Sequence, residues 1–518
     1  MTDTWLCQYY ANTVNSVNAV ASVIPEISNM DTFNAAAKTK TLNVLLIGCG
    51  PHAKRVYLPA LNKLQDQYGI SLKSVVELNS QKDTTMRATK ELFEDVDFLF
   101  TPPFKNAYAI PAKFEKLLDD TVAKHGINGV IIATEPLSHM QYALWALKRG
   151  LHILMDKPIS THKNVSNSIA QADMLATDFT RLIAKRDPSK AFVINAQRRY
   201  HPGFQYVLEQ IRSVAEEYHV PITAIQSTHC DGQWRLPKEV LTQEYHPYIG
   251  YGKVSHSGYH LIDIISRFVQ SSFISSGKSF DKIGVYSSFV KPSGLLKQQT
   301  RDDYVSVFGE QYEGVNEYND GQLAELYAKA GEAEVDSSSL ITLFNHGHPT
   351  ANISLNLMHN GFARRDWILP GSDLYKGNGR VKHEYHNIEQ GPYQNIQIHS
   401  YQANDKHEAN TEDDYSLGGN NHFDIYIFRN SGILGGKPLQ VITSKDLAEK
   451  MNHDSSKLVI EQVKHRVVRE FVEIMSGERE PSDTQSDLST HALSAELMSL
   501  IYKSGIKRKE VVTDYVQK

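Results

Sequence analysis

Between residues 41 and 197, short apolar runs alternate with helical patterns, and this rhythm constrains the fold more than any other feature. TLNVLLIG (41–48) is a continuous apolar run ending in glycine, as expected for a strand buried on both faces. A helical pattern runs from His52 to about Tyr68, and SLKSVVEL (71–78) reads as the next strand. PAKFEKLLDDTVAKHG (111–126) reads as a helix, with Pro111 suited to its first turn and Gly126 to its end. GVIIAT (129–134), LHILMD (151–156) and AFVINAQ (191–197) are further strands, separated by helical stretches at 138–150 and 163–186. Such alternation predicts a doubly wound parallel sheet covered by helices on both faces.

After about residue 200 the rhythm changes. VPITAIQSTHC (220–230), FDKIGVYSSFV (280–290), SSLITLFNHG (338–347), TANISLNLMH (350–359) and NIQIHSYQ (395–402) are longer and alternate in polarity. They predict a large, mostly antiparallel open sheet with one face solvated or covered by a partner. HSGYHLIDIISRFV (256–269) reads as a helix, and residues 455–477 and 488–505 close the chain as two more. Residues 291–337 and 403–421 are polar and acidic and read as insertions or long loops that form a lid or an oligomer contact. The expected division is a polar extension over 1–40, an α/β domain over 41–198, and an α+β domain over 199–518 with its C-terminal helices packing back.

Composition narrows the function classes. The 518 residues suffice for a large core, and the net charge of −5 points to neither a nucleic-acid binder nor a polybasic membrane protein. The three cysteines, Cys7, Cys49 and Cys230, are odd in number and widely spaced, so neither a disulfide framework nor a CxxC site is expected. A reducing compartment, the cytoplasm, is the natural expectation. The N-terminal stretch lacks the basic and apolar regions of a secretory signal, and no apolar run is long enough to span a membrane.

Gly48-Cys49-Gly50-Pro51-His52-Ala53 fits the GxGxxG/A pattern between a predicted strand and a predicted helix. Gly48 permits the tight turn, Gly50 lets backbone approach a pyrophosphate, and Ala53 allows close helix–strand packing; Pro51 and His52 complete the candidate cofactor loop. Glu77 ends the second strand 24 residues past Ala53, close to the roughly 20-residue offset of a carboxylate that accepts from a ribose hydroxyl. A carboxylate there favours NAD over NADP, with Lys82 near enough to leave NADP open.

IIATEPLSHMQYALWALKRGLHILMDKPIS (131–160) resembles the nucleotide-domain core of the glucose–fructose oxidoreductase / inositol dehydrogenase / MocA (Gfo/Idh/MocA) family. Thr134-Glu135-Pro136, His139 and Asp156-Lys157-Pro158 stand where that family has a Thr-Pro-Asn-like turn, a helix-opening His and Glu-Lys-Pro. Arg198-Arg199-Tyr200-His201-Pro202 resembles the run at its domain junction, and Gly250-Tyr251-Gly252 through His256, Gly258, His260 and Asp263 resembles its Gly-rich Asp-x-Gly-x-His-x-x-Asp motif. The resemblance implies an N-terminal Rossmann domain, a second domain with an open antiparallel sheet, and homodimers or homotetramers formed through that sheet. It implies Thr134, Glu135, His139, Asp156, Lys157 and Arg199 beside the cofactor, and Lys157 and His260 as catalytic residues. His256 stands where the family has Asp, which makes it a candidate base or substrate contact.

Oxidising a secondary alcohol needs a hydride acceptor, a base and a donor that steadies the oxyanion. A desolvated Lys157 suits the proton relay, and a neutral His260 suits proton acceptance near pH 7. Tyr200, Trp234 and Tyr251 offer aromatic faces to a sugar or polyol, although Trp234 fits core packing equally well. The pairs His346/His348 and His383/His386 lack a third ligand, so no metal is expected. The expected function is an NAD(P)-dependent oxidoreductase of a sugar, cyclitol or related polyol. Two alternatives stay open: an enzyme that recycles its NAD while cleaving a glycoside by oxidation and elimination, and a silent dinucleotide-binding sugar sensor.

Overall fold

Two sheets, each packed against helices, organise the chain. The computed structural model describes residues 41–104, 108–242, 250–366, 368, 379–404, 411–449 and 459–507. The extension expected over 1–40, with Cys7, lies outside them, as do 405–410 of the second expected insertion. The first sheet is parallel and six-stranded: β1 (Leu42–Ile47), β2 (Ile70–Leu78), β3 (Asp97–Thr101), β4 (Gly129–Ile132), β5 (His152–Asp156) and β6 (Phe192–Asn195). Its order is β3-β2-β1-β4-β5-β6, so the connections reverse direction between β1 and β4, where such sheets bind ligands. Every residue of β1 is buried. Leu42, Val44 and Leu46 face the helices Tyr57–Tyr68 and Val459–Ser476, while Leu45 and Ile47 join the core that includes the helices at 112–125, 139–148 and 169–185.

The second sheet has eight strands: β7 (Ala224–Gln233), β8 (Lys282–Val290), β9 (Asp336–Asn345), β10 (His348–Asn360), β11 (Lys382–Gln390), β12 (Gln394–Gln402), β13 (Phe423–Arg429) and β14 (Leu439–Ile442). The order is β14-β13-β12-β11-β7-β10-β9-β8, antiparallel except for the β7–β10 pair. Ile225, Ile353, Ile388 and Ile396 line its inner face and share one apolar cluster with the helices Pro202–Tyr218 and Tyr259–Ser276. The fold is therefore α/β, with a doubly wound parallel sheet beside a large, mostly antiparallel one. The chain's end returns to the first sheet, since the helix Val459–Ser476 packs on Tyr57–Tyr68, β5 and β6. None of the described helices is long and apolar enough to cross a membrane.

Several elements differ from the expectation. Residues 291–337, expected as loop, contain four helices, Pro292–Gln298, Arg301–Phe308, Glu310–Val315 and Asp320–Ala330, before β9 begins. Reciprocal capping by Thr300 with Asp303 and by Asn319 with Gln322 starts two of them, and their polar faces masked the helical period. They bury Leu296, Leu323 and Tyr327 against Val240 and Val335 in a small cluster of their own. Strand β3 escapes a pattern reading because it is an edge strand that is only half buried. Strand β11, KHEYHNIEQ, escapes it because charged and polar residues occupy its covered face as well as its open one. The helix expected over His52–Tyr68 is broken at Val56 into Pro51–Arg55 and Tyr57–Tyr68.

Two buried ion pairs tie the sheets together. Arg198 and Arg199 lie in the single turn Gln197–Tyr200 that follows β6. Arg198 Nε donates to Glu384 Oε1 of β11 at 2.9 Å. Arg199 grips Asp263 of the helix Tyr259–Ser276 through two bonds, Nε to Oδ2 at 2.8 Å and Nη2 to Oδ1 at 2.6 Å, and Nη1 donates to the Gln485 carbonyl at 3.2 Å. Removing one partner of such a pair strands a buried charge, which costs about 3–5 kcal/mol. Arg199→Met is expected to lose about that much stability in urea unfolding; a loss under about 1 kcal/mol, the size of an exposed pair, contradicts the clamp.

Candidate active site

The glycine turn sits at the switch point. Gly48 has φ +89°, and its N–H donates to the Val76 carbonyl at 2.9 Å. A Cβ there would stand 2.6 Å from the Ala133 carbonyl, so the turn requires glycine on both counts. A Cβ on Gly50 would meet nothing within 4 Å, so the backbone here opens onto free space. Ala53 is buried against the sheet, while Pro51 begins the short helix at its exposed end. His52 lies edge-on to the Tyr57 ring, with Nε2 3.7 Å from Asp156 Oδ1. Glu77 leans over the turn, and its Oε2 accepts from the Cys49 N–H at 2.6 Å. An open backbone with a half-buried carboxylate at its lip fits a dinucleotide: Gly50 leaves room for the pyrophosphate, and Glu77 is placed to accept from a ribose.

The turns after β4 and β5 carry the next candidates. Glu135 caps its own turn by accepting from the Leu137 N–H at 2.9 Å, and burial pushes its carboxyl up, opposed by a hydrogen bond from Tyr251. His139 is fully buried, with Nδ1 2.8 Å from the Pro158 carbonyl and Nε2 3.2 Å from the Thr134 carbonyl. It therefore joins the two turns to each other. Asp156 accepts from the Tyr57 hydroxyl and from Asn195 Nδ2 at 3.0 Å.

Lys157 reaches across the crevice. Its Nζ donates to the His256 carbonyl at 2.6 Å. Burial pushes its ammonium down to about 8, against the pull of Asp156 and Asp231. His260, in the first turn of the helix Tyr259–Ser276, is buried with Nδ1 lacking any hydrogen-bond partner. Burial first, then the charges of Lys157, Arg198 and Lys382, hold it well below the usual imidazole range, so it is neutral. The spacing of His256 and His260 suggests one helical face. Instead, a wide turn over Val254–Gly258, closed by the Gly258 N–H on the Lys253 carbonyl at 2.8 Å, holds His256, and the α-helix with His260 begins only at Tyr259.

The eight-stranded sheet supplies charged residues that pattern reading missed. His229 and Asp231 of β7, His359 of β10 and Lys382, Glu384 and His386 of β11 share one end of its inner face. Lys253, completely buried, donates to Asp231 Oδ2 at 2.7 Å and to His229 Nδ1 at 2.8 Å. Desolvation raises the Asp231 carboxyl, but Lys253 and His359 outweigh it and hold it well below the usual range. The legible signal was the two-residue spacing of His229 with Asp231 and of Lys382, Glu384 and His386. In β11 a metal pair would need His383 and His386 together, yet three residues apart on a strand they point to opposite faces. His346, expected to share a strand face with His348, lies in the β9–β10 turn at φ +50°.

Other candidates serve the packing. The Arg199 guanidinium spends its donors on Asp263, Gln485 and the segment around Thr490 and His491. Tyr200 is buried, its hydroxyl donating to Glu470 of the helix Val459–Ser476. Tyr251, also buried, faces Glu135. Trp234 stacks at 6.3 Å on Tyr304 and lies 5.3 Å from Phe308, both from the helices after β8. Thus Lys157, His260 and His256 converge, Glu77 and the glycine turn form a second group at the same edge of the parallel sheet, and Arg199, Tyr200 and Trp234 belong to the surrounding frame.

Residues 42–179 match the family model described as GFO_IDH_MocA, oxidoreductase family, NAD-binding Rossmann fold. This segment is a Gfo/Idh/MocA-family NAD-binding domain. Solved structures share the fold over most of the chain. A levoglucosan dehydrogenase in complex with NADH and levoglucosan aligns with a TM-score of 0.56 at 15% identity, covering 91% of this chain and 98% of its own. The WlbA dehydrogenase from Bordetella pertussis, in complex with NADH and UDP-GlcNAcA, aligns at 0.52 and 13%, with the same coverages. An oxidoreductase from Agrobacterium radiobacter, in complex with NAD+, L-tartaric acid and magnesium, aligns at 0.51 and 12%, again covering 91% and 98%. No curated protein matches the sequence.

Glu77→Ala is expected to weaken NADH binding by roughly 10-fold or more, the worth of a hydrogen bond to a charged group. NADPH, whose 2′-phosphate the carboxylate repels, is expected to bind no worse. Fluorescence titration with both reduced cofactors checks this, and an equal loss for the two contradicts the ribose assignment.

Proposed function

We propose that the chain is an NAD(P)-dependent dehydrogenase that moves a hydride between nicotinamide and the carbinol carbon of a secondary alcohol in a sugar or related polyol. The observation that carries this reading is the convergence of Lys157 and His260 at the ligand-binding edge of an NAD-binding sheet. The glycine turn and Glu77 would hold the dinucleotide, which supplies the hydride acceptor when bound.

The chain's own groups handle the proton. Lys157 Nζ is anchored on the His256 carbonyl and has an ammonium that yields its proton near pH 8, so its neutral amine takes the hydroxyl proton of the alcohol. His260 is too weak a base to hold that proton, because burial and three neighbouring cations disfavour its charged form. Its part is to bond the same hydroxyl and aim it at Lys157. In the reverse direction the Lys157 ammonium returns the proton to the carbonyl oxygen. The Lys157 ammonium formed by the proton transfer steadies the alkoxide.

The sign of the pH dependence follows. Alcohol oxidation needs neutral Lys157 and is expected to rise as pH increases through about 8, while ketone reduction needs the ammonium and is expected to fall over the same range. Lys157→Met is expected to lower kcat by about 10²- to 10⁴-fold with NAD affinity nearly unchanged. Turnover that survives in Lys157→Met, or keeps its pH profile there, contradicts the assignment.

A further inference from the structure

The charged end of the eight-stranded sheet is not balanced. Asp231 is shared by Lys253 at 2.7 Å, Arg380 at 3.2 Å and His359 at 3.1 Å. Glu384 is committed to Arg198 and, at 2.8 Å, to His386. Lys382 stands two residues before Glu384 on the same face of β11, and none of the described carboxylates lies within ion-pair distance of it. Beside it Arg198 is 2% exposed and leaves Nη1 without an acceptor. Protein structures rarely leave a buried guanidinium nitrogen unmatched or two cations facing each other in a dry site. These two feel each other strongly: burial and then the Arg198 charge push the Lys382 ammonium well down. Both also act on His260, so these unmatched donors lie near the reacting groups.

We propose that the alcohol oxidised here belongs to an acid, a sugar or polyol carrying a carboxylate, and that Lys382 Nζ binds this carboxylate in the field of the Arg198 guanidinium. The inference rests on the reading of the crevice as the site of hydride transfer. A neutral polyol would leave Lys382 as an uncharged amine, whereas a carboxylate draws the proton back onto Nζ and supplies two acceptor oxygens, for Nζ and for the unmatched Arg198 Nη1. Arg198 already shares Glu384, so Lys382 is the group whose counter-ion the substrate supplies. The carboxylate then anchors one end of the substrate, with the reacting carbinol carbon held at the other, against Lys157 and His260.

The test uses the full chain with NAD and compares glucuronate, galacturonate and mannuronate with glucose, galactose and mannose and with the three hexose 6-phosphates. One uronate is expected to show kcat/KM about 100-fold above its neutral parent, as a charge-assisted bond in a dry site allows. Lys382→Met, which strands no partner, is expected to raise KM for that acid about 30-fold with kcat little changed, and Lys382→Arg to restore much of it. Calorimetry on the NADH complex reads uronate binding apart from turnover. Uronates that bind in a Lys382-dependent way without NAD reduction support the anion site and overturn the hydride-transfer reading. Uronates that neither bind nor react, a neutral sugar or a sugar phosphate that is preferred, or a Lys382→Met that lowers kcat for acid and neutral substrates alike, overturn the anion site.

Discussion

Arg198 and Arg199, neighbours in one turn after β6, reach in different directions to the two elements the crevice needs in place. Arg199 fixes Asp263, one helical turn beyond His260, so the clamp on the carboxylate also sets where the imidazole stands. Arg198 fixes Glu384 and with it the charged end of β11. Because both pairs are buried, neither partner can leave without stranding a charge, and this makes the geometry hard to relax. The eight-stranded sheet is thereby registered against the parallel sheet whose β5 leads into Lys157, although 186 residues separate Arg198 from Glu384.

The same burial sets the chemistry. Inside the crevice, desolvation acts on every ionisable group, and the outcome depends on what each meets. Asp231 keeps its charge because Lys253 and His359 repay the cost. His260, His229 and His359 have cations nearby and become neutral, His359 being pushed down to about 4. Lys157 lies between these extremes at about 8, where an amine can both take and return a proton near neutral pH. A buried lysine with a carboxylate at bonding distance would stay charged, and one without any carboxylate nearby would lose its charge altogether.

The first sheet was legible because its strands are buried on both faces and read as unbroken apolar runs between capped helices. The glycine turn was legible because Gly48 is fixed by its backbone and by the Ala133 contact, both local to adjacent strands. Strand β11 was not, since a charged inner face erases the alternation on which strand reading depends. Lys253, Asp231 and Lys382 escaped for a related reason. Each is an unremarkable charged residue in sequence and gains meaning only when β7 and β11 pair, with His229 opposite Glu384, and Lys253, just before the wide turn at Val254–Gly258, meets His229 and Asp231. Arg199 and Tyr200 carry a recognisable motif, but it serves the clamp and the packing on the C-terminal helix.

The most direct test of this account is the titration of Lys157 itself. Competitive acetylation across pH, read by mass spectrometry on the peptide that contains Lys157, reports when that amine becomes neutral in the folded protein. An apparent pKa near 8 in the wild type is the predicted result. A value at the ordinary lysine range of about 10.4 would show that the crevice is wet and the amine fully charged at neutral pH, and would contradict the central claim.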